Sequence, residues 1–350
     1  MKQETANRQH SHHFRAMGTD VALWLWNSSE QRARSALLAA EGFFAQTEAR
    51  LSRFRADSEL SRLNRTAGKP FAASPVLFDL VAEALAWRDR TGGIFDPAVL
   101  NALIASGYDR TFSAVKVEDR STGESGVGVS VDAGAGFTGA SQGARVDSSG
   151  IVLGPGRQIL LPEGVGIDLG GIAKGWTIQQ AAHRLGMWGP CLVDAGGDIA
   201  CVGKPPGEPW VVTVADPRVE DEHADEDIAV VSLSNAAIAT SSRIYRSWRQ
   251  GGRAAHHLID PRTGAPAATN IYSVTVLADR LPDAEIYAKT ALILGEEQGL
   301  AYLNQLTGAA ALVVTDDGRH LTTGNFEQKA YVPSSTLGGS SFAARFATPV

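Results

Sequence analysis

The segment from Ile167 to Trp176 reads Ile-Asp-Leu-Gly-Gly-Ile-Ala-Lys-Gly-Trp and combines residue types that bind phosphate groups. It places a carboxylate at Asp168, then a glycine pair, then Lys174 at the start of a predicted helix. Open backbone N–H groups, the helix dipole and a lysine together favour a phosphate or pyrophosphate ligand. The spacing fits neither a Walker A loop nor the Gly-x-Gly-x-x-Gly dinucleotide motif. A strand-to-helix turn whose glycines only relieve crowding is the alternative.

Two further glycine pairs precede an aspartate. Gly92-Gly93 comes before Asp96, and Gly196-Gly197 comes directly before Asp198 at the end of a predicted strand. Glycine lets the backbone approach a ligand closely, although each pair alone is also an ordinary turn. Three such corners in one chain indicate a ligand site.

His257 lies in a strand-like segment that leads into a Pro-Arg-Thr-Gly turn at residues 261–264. A histidine there can act as a general acid or contact a phosphate, and a buried structural histidine is the alternative. Thr240 offers a hydroxyl near an anionic ligand, and Arg243 and Arg246 follow it. Arg246 and Arg249 could equally lie on a solvated helix face.

The elements that position these residues follow from periodicity and caps. Alternation over 21–26 predicts a strand, and Ser28 or Ser29 caps the helix after it. Ser74-Pro75 begins a second helix that Gly92-Gly93 ends. A third helix runs through Leu185, and two more are predicted at 283–294 and 297–306. Further strands are predicted at 192–194, 210–214, 229–233, 272–278 and 311–315. Strands mixed irregularly with helices predict an α+β fold.

Composition restricts the classes of partner. The chain has 350 residues, 32 Lys+Arg against 38 Asp+Glu, and a net charge of −6, which argues against nucleic-acid binding. There is no apolar run long enough for membrane insertion. The two cysteines, Cys191 and Cys201, form neither a disulfide framework nor a zinc-ligand set. We expect a cytoplasmic protein.

Three segments are predicted to lie outside the folded domain, which we place at residues 16–332. Residues 1–15 are polar and include a histidine cluster, and they are predicted to form a disordered N-terminal arm. Residues 121–157, rich in Gly and Ser, are predicted to form an insertion, and residues 333–350 a C-terminal tail.

Taken together and in order, the motifs resemble the FAD:protein FMN transferase family, also called ApbE. The resemblance covers about Met17 to Leu312. Its motifs in this sequence are Met17-Gly18-Thr19, Leu51 to Phe54, Asp57 to Asn64, Gly93 to Pro97, Asp168 to Gly175, Gly196 to Asp198, Ala239 to Ser241 and His257 to Gly264.

The resemblance implies an α+β, T-fold-related architecture of mixed, largely antiparallel sheets flanked by helices. Members of the family bind FAD and, with magnesium, split its pyrophosphate. They transfer the FMN portion to a threonine or serine hydroxyl of an acceptor protein and release AMP. Some members instead hydrolyse FAD to FMN and AMP. The implied partners of this chain are therefore FAD, Mg²⁺ and an acceptor protein.

The resemblance also implies site residues. His257 and Lys174 take the family's catalytic positions, and Phe54 stands where a tyrosine is common. The residues implied to bind FAD are Met17, Phe54, Ile94, Phe95, Asp96, Asp168, Lys174, Asp198, Thr240 and His257.

For the metal, the resemblance implies the backbone carbonyl of Gly171 together with an aspartate and a threonine four residues apart on one helix. Thr290 is assigned to the threonine position, and Ile286 to that of the aspartate. We therefore expect magnesium binding that is weakened or that runs through water to Glu285 or Asp198. Two other functions stay open: a non-catalytic FAD-binding protein with a degraded metal site, and an FAD pyrophosphatase.

Overall fold

The computed structural model describes residues 7–112, 114–115, 145–218, 227–250 and 253–329. The predicted C-terminal tail and residues 121–144 of the predicted insertion lie outside these ranges. The strands of the described residues are β1 Arg8–Ala16, β2 Thr19–Asn27, β3 Phe71–Ala72, β4 Val152–Gly154, β5 Gln158–Leu160, β6 Cys191–Ala195, β7 Asp198–Val202, β8 Trp210–Ala215, β9 Asp227–Leu233, β10 Ala237–Ser242, β11 Ser247–Gln250, β12 Arg253–His256, β13 Ile259–Asp260, β14 Ala265–Pro266, β15 Ile271–Ala278, β16 Ala310–Thr315 and β17 His320–Thr323. The α-helices are α1 Glu30–Leu51, α2 Glu59–Arg65, α3 Pro75–Arg90, α4 Leu100–Ala105, α5 Ala173–Gly186, α6 Leu281–Leu294, α7 Glu296–Asn304 and α8 Phe326–Lys329.

An eight-stranded sheet with the order β1-β2-β6-β7-β10-β15-β16-β17 forms the centre of the fold. Each neighbouring pair in this sheet is antiparallel. The predicted α+β fold with largely antiparallel strands is therefore confirmed.

Side chains of the central strands alternate between two apolar cores, because successive residues of a strand point to opposite faces. On β6, Cys191 and Val193 join a core shared with α1, α5 and α6. Leu192, which lies between them, packs on the other face in a cluster with Trp210 of β8. The sheet is thus covered by helices on one side and by the β8–β9 hairpin on the other.

A third core joins α2, α3 and the small sheet β3-β5-β4 to the loop before α5. Its buried side chains include Leu80, Ile159, Phe95 and Ile286. Phe95 belongs to the segment between α3 and α4, whereas Ile286 belongs to α6. This core therefore fixes the approach of α6 to the residues that precede α5.

Caps predicted from the sequence fix two of the helices. The Ser29 side chain accepts a hydrogen bond from the backbone N–H of Arg32 at the start of α1. Ser74 caps α3 in the same way, with Pro75 at its first position. Gly92 and Gly93, which follow α3, have φ values of +60° and +82°, a region that glycine adopts without strain.

The prediction of a disordered arm over residues 1–15 is wrong from Arg8 onward, because Arg8–Ala16 forms β1 and pairs with β2 along its whole length. His12 Nε2 lies 2.7 Å from Glu41 Oε2 on α1, and the Phe14 ring packs on Phe44. The strand was missed in the sequence because its residues are mostly polar, although alternate side chains, those of His12 and Phe14, pack on α1.

The predicted insertion also extends too far. Val152–Gly154 pairs with β5, and the backbone N–H of Ser148 donates to Asp96 at 3.1 Å. Residues 145–157 therefore belong to the folded domain. No helix within the described part of the chain is long and apolar enough to cross a membrane, and the cytoplasmic location stays a prediction.

Candidate functional site

A cavity of about 880 Å³ opens among α1, α5, α6 and the strand ends of the central sheet. Its lining draws together residues from all three thirds of the chain. The predicted site residues that line it are Met17, Phe54, Ile94, Phe95, Asp96, Asp168, Gly171, Lys174, Asp198, Thr240 and His257. Thr290, predicted as a metal ligand, does not line it.

Asp168 holds the loop before α5. Its Oδ2 lies 2.8 Å from Arg53 Nε, and its Oδ1 accepts a hydrogen bond from the Gly170 N–H at 2.8 Å. Arg53 in turn lies against the rings of Phe54 and Tyr108, at 4.1 and 4.5 Å from their centroids. Asp168 therefore fixes an arginine and the glycine loop at the cavity wall.

Lys174, in the first turn of α5, forms an ion pair with Asp198, with 2.5 Å between Nζ and Oδ2. The other carboxylate oxygen of Asp198 accepts a hydrogen bond from the Thr240 N–H at 3.1 Å. The Thr240 hydroxyl lies 2.9 Å from the Thr275 hydroxyl. The lysine is thus held at the cavity by a buried carboxylate that the neighbouring strand orients.

Asp194 lies behind this ion pair, where its Oδ1 accepts a hydrogen bond from the Gly197 N–H at 2.8 Å. Burial raises the pKa of Asp194 to about 7. Gly196 and Gly197 have φ values of +63° and +85°. The glycine pair of this corner is therefore required by the turn that carries Asp198 into the cavity.

Lys289 and Glu285 line the cavity from α6, one turn apart. The Lys289 ammonium donates to the Gly171 carbonyl at 2.8 Å and lies 3.9 Å from Glu285 Oε1. The Gly175 N–H donates to Glu285 Oε2 at 3.1 Å. Burial raises the pKa of Glu285, and burial lowers the pKa of Lys289 against the opposing attraction of nearby carboxylates.

His257 follows β12 directly and lies within hydrogen-bonding reach of a backbone carbonyl, with 3.4 Å between Nδ1 and the Arg246 oxygen. A carbonyl can only accept, so we assign the proton to Nδ1 and an acceptor lone pair to Nε2. Burial, reinforced by the Arg246 charge, holds the pKa of His257 well below its ordinary value. The ring is therefore neutral near pH 7.

The remaining predicted residues shape the wall. Asp96 accepts hydrogen bonds from Ala98 N and Ser148 N at 2.8 and 3.1 Å, so its carboxylate ties two loops together. Met17 adopts a φ of +53°, and its N–H donates to Glu48 at 2.9 Å. Ile94 and Phe95 are 9 % and 6 % exposed and present apolar surface to the cavity.

The donor set does not fit the divalent metal that the family resemblance implies. Among the described residues, no group of three or more His, Cys, Asp or Glu side chains could hold a metal ion. The Gly171 carbonyl is bonded to the Lys289 ammonium, and Asp198 and Asp168 are paired with Lys174 and Arg53. A divalent ion would have to displace these cations.

The structure also corrects which α6 residues face the cavity. Ile286 is fully buried in the core with Phe95, and Thr290 is 1 % exposed beside Tyr302 of α7. The pair four residues apart that faces Gly171 is Glu285 and Lys289. The predicted assignment was one residue too far along the helix, because α6 is buried on nearly every side and its apolar periodicity marks no single face.

Comparisons with known proteins agree with this fold and with the order of the motifs. The model of the ApbE family matches residues 17–313. A protein of Treponema pallidum named FAD:protein FMN transferase is 32% identical over 296 residues, covering 78% of this chain and 75% of that protein. A protein of Vibrio cholerae with the same name is 31% identical over 276 residues, covering 77% of this chain and 76% of that protein. The chain belongs to the ApbE family.

Two solved structures share the fold. The ApbE protein of Thermotoga maritima superposes with a TM-score of 0.76 at 22% identity, covering 93% of this chain and 100% of the other. The flavin transferase ApbE of Vibrio cholerae superposes with a TM-score of 0.70 at 23% identity, also covering 93% and 100%. The architecture predicted from the motifs is therefore that of the family.

Proposed function

We propose that this chain transfers the FMN portion of FAD to a threonine or serine hydroxyl of an acceptor protein and releases AMP. Membership of the ApbE family and the names of its relatives support the reaction. The observation that carries the proposal is that Lys174, Lys289 and His257 line the same cavity as the predicted flavin-binding residues.

In the proposed reaction the acceptor hydroxyl oxygen attacks the phosphorus of the FMN phosphoryl group. A new P–O bond forms to the acceptor, and the bond from that phosphorus to the bridging pyrophosphate oxygen breaks. The electron pair of the broken bond leaves with AMP, and the hydroxyl proton passes to a base. Catalysis of this kind depends mainly on positioning and on neutralising charge at the transferred group.

His257 is the base in this proposal. Its partly buried ring is neutral near pH 7, so the Nε2 lone pair can accept the hydroxyl proton while Nδ1 stays directed at the Arg246 carbonyl. The carbonyl contact orients the ring.

Lys174 and Lys289 neutralise the pyrophosphate. Both ammonium groups are already held by carboxylates at the cavity wall, with Lys174 on Asp198 and Lys289 close to Glu285. Such fixed cations need little reorganisation as charge moves to the leaving phosphate. Magnesium, which the resemblance implies, is not part of this proposal because the donor set does not fit it.

Phe54 and Tyr108 are proposed to contact a ring of the dinucleotide. Phe54 is 39% exposed beside the cavity, and its ring centroid lies 5.6 Å from that of Tyr108. Arg53 lies over both rings and also lines the cavity. The exposed Phe54 ring, supported by the buried Tyr108, suits contact with a flat heteroaromatic ring.

The test is incubation of the purified protein with FAD, first alone and then with a cell lysate as a source of acceptors. Products are separated by chromatography, and covalent flavin is detected by its fluorescence on a denaturing gel. AMP together with a fluorescent protein band supports the transferase. AMP with free FMN and no band indicates an FAD pyrophosphatase instead, and flavin binding without AMP indicates a non-catalytic FAD-binding protein.

A further inference from the structure

The Lys289 side chain is hydrogen-bonded to the backbone carbonyl oxygen that the family resemblance assigns as a metal ligand. Its ammonium donates to the Gly171 carbonyl at 2.8 Å. A magnesium ion would bind such an oxygen at about 2.1 Å. The two cations cannot share this oxygen without strong repulsion in a buried site. The Lys289 side chain is only 14% exposed, so it cannot swing into solvent without breaking its packing.

Two glycines make room for this arrangement. A Cβ at Gly171 would lie 2.5 Å from Lys289 Nζ and 3.2 Å from Phe95 Cε2. A Cβ at Gly175 would lie 2.6 Å from Glu285 Oε2. Neither glycine has a positive φ, so the space is the reason for glycine here. The loop before α5 and its first turn are thus shaped around the two charged residues of α6.

Three carboxylates counteract the cost of burying the Lys289 charge. Burial lowers the pKa of Lys289, the carboxylates of Glu285, Asp198 and Asp168 oppose that effect by attracting the ammonium, and Lys174 repels it. The Lys289 ammonium also lies 5.8 Å from the centroid of the Phe95 ring. These groups hold the charge at the wall of the cavity that Lys174 also lines.

We propose that the Lys289 ammonium is the built-in cation of this site and replaces the divalent metal, so that the chain acts on the pyrophosphate of FAD without magnesium. This inference rests on the proposed function for its reaction, although its metal-binding consequence does not. In the step described above, Lys289 and Lys174 together neutralise the pyrophosphate as AMP leaves. The reaction needs no reactant other than FAD and the acceptor hydroxyl.

The decisive variant exchanges the built-in cation for metal ligands. Glu285→Asp combined with Lys289→Thr places an aspartate and a threonine four residues apart on the α6 face beside the Gly171 carbonyl. Such oxygen donors suit a hard divalent ion. The matched control is Lys69→Thr, since Lys69 is exposed and does not line the cavity.

Binding of Mn²⁺ is measured by the loss of its free electron paramagnetic resonance signal, with and without FAD and with FAD alone subtracted. We expect wild-type protein and Lys69→Thr to bind no Mn²⁺ at the cavity. The double variant should bind one ion per chain, with an affinity at least about ten-fold above the weakest binding that the titration detects. One ion per chain in wild-type protein would overturn the proposal. If the double variant fails to fold, judged by circular dichroism, the wild-type titration alone decides.

AMP release is the second readout. Wild-type protein should keep its rate of AMP release in excess EDTA, whereas the double variant should lose it in EDTA and regain it with magnesium. Loss of wild-type AMP release in EDTA, with recovery on adding magnesium, would also overturn the proposal. Absence of AMP under every condition would instead contradict the proposed function, and the Mn²⁺ titration would still report whether Lys289 excludes the ion.

Discussion

Arg53 and Asp168 form an ion pair in which both side chains are nearly buried, at 6 % and 12 % exposure, with 2.8 Å between Nε and Oδ2. The pair joins the end of α1 to the loop before α5. This contact therefore fixes the segment after α1 and the loop before α5 relative to each other at the candidate site. The sequence motif around Arg53 gave that residue no role, and the structure assigns it this one.

Asp168→Asn should reduce the free energy of unfolding by about 3 kcal/mol, because it removes the only negative charge paired with the buried Arg53 among the described residues, leaving the neutral Tyr108 carbonyl as an acceptor. The amide oxygen can still accept from the Gly170 N–H, so the loop keeps that hydrogen bond. Urea unfolding measures the effect. The matched control is Asp57→Asn, since Asp57 pairs with Arg55 where both side chains are at least half exposed, at 75% and 50%. The control variant should lose less than about 1 kcal/mol of unfolding free energy. Equal losses of unfolding free energy in the two variants would contradict the role given to the buried pair.

His256 should make the fold sensitive to acid. Burial lowers the pKa of His256 from 6.5 to about 4. Between these pH values the unfolded chain therefore binds a proton that the folded chain does not bind. Its contribution to stability is complete above pH 6.5 and is lost as the pH falls toward 4. The slope contributed by one such group is at most about 1.4 kcal/mol per pH unit. His256→Gln should flatten the fall in unfolding free energy between these pH values. An unchanged slope would contradict this.

Asp194 should have the opposite dependence. Burial raises the pKa of Asp194 from 3.8 to about 7, so the folded chain binds the extra proton and loses stability as the pH rises between these values. Asp194→Asn keeps an oxygen for the Gly197 N–H and removes the charge. Its stability relative to wild type should therefore increase with pH across this range, measured by urea unfolding at several pH values. A relative stability independent of pH would show that Asp194 does not titrate as described.

Much of the fold could be predicted from local signals. The caps at Ser29 and Ser74 and the apolar periodicity of the longer helices predicted their starts, as the structure confirms. β1 was missed because its residues are mostly polar. Its stability comes from backbone pairing with β2 and from packing on α1, and neither is visible in composition.

The candidate site could be predicted only where motifs are contiguous. The contact between Lys289 and Gly171 joins residues 118 positions apart, and no local pattern reports it. The available signal was the pair of charges at Glu285 and Lys289, four residues apart within an otherwise apolar helix. A charged pair at that spacing on a buried helix lies on one face and needs a partner there.

Lys174→Ala and His257→Ala should each lower the rate of AMP release while leaving the fold intact. For the histidine the loss should be about 100-fold or more, as for removal of a general base. Chromatographic assay of AMP gives the rate, and circular dichroism confirms the fold. His320→Ala serves as the control because His320 is exposed and lies outside the cavity lining. Unchanged turnover in both site variants would refute the assignment.

Phe54→Ala should weaken FAD binding about ten-fold, which corresponds to the loss of one stacking contact. Titration of FAD fluorescence measures the affinity. Leu38→Ala is a suitable control, since Leu38 is 47% exposed on α1 and lies outside the cavity lining. Equal affinities for the two variants would exclude an aromatic contact at this position.

Gly171 and Lys289 should be energetically coupled. Gly171→Ala places a methyl group 2.5 Å from Lys289 Nζ and should cost about 1–3 kcal/mol through crowding. Lys289→Ala removes the ammonium and so removes that crowding, although the contact with Phe95 at 3.2 Å remains. The double variant should therefore lose less stability than the two single variants added together, by about 1 kcal/mol.

Gly92→Ala provides the matched control for this cycle. Its φ of +60° makes alanine strained there, but no atom lies within 4 Å of the added methyl group. Its cost should therefore add to that of Lys289→Ala without coupling. Chemical denaturation of the single and double variants gives all the required free energies. If the losses of unfolding free energy for Gly171→Ala and Lys289→Ala are additive, the space left by the glycine is not needed for the ammonium. If only that pair of substitutions is coupled, Gly171 is required because the Lys289 ammonium packs against it.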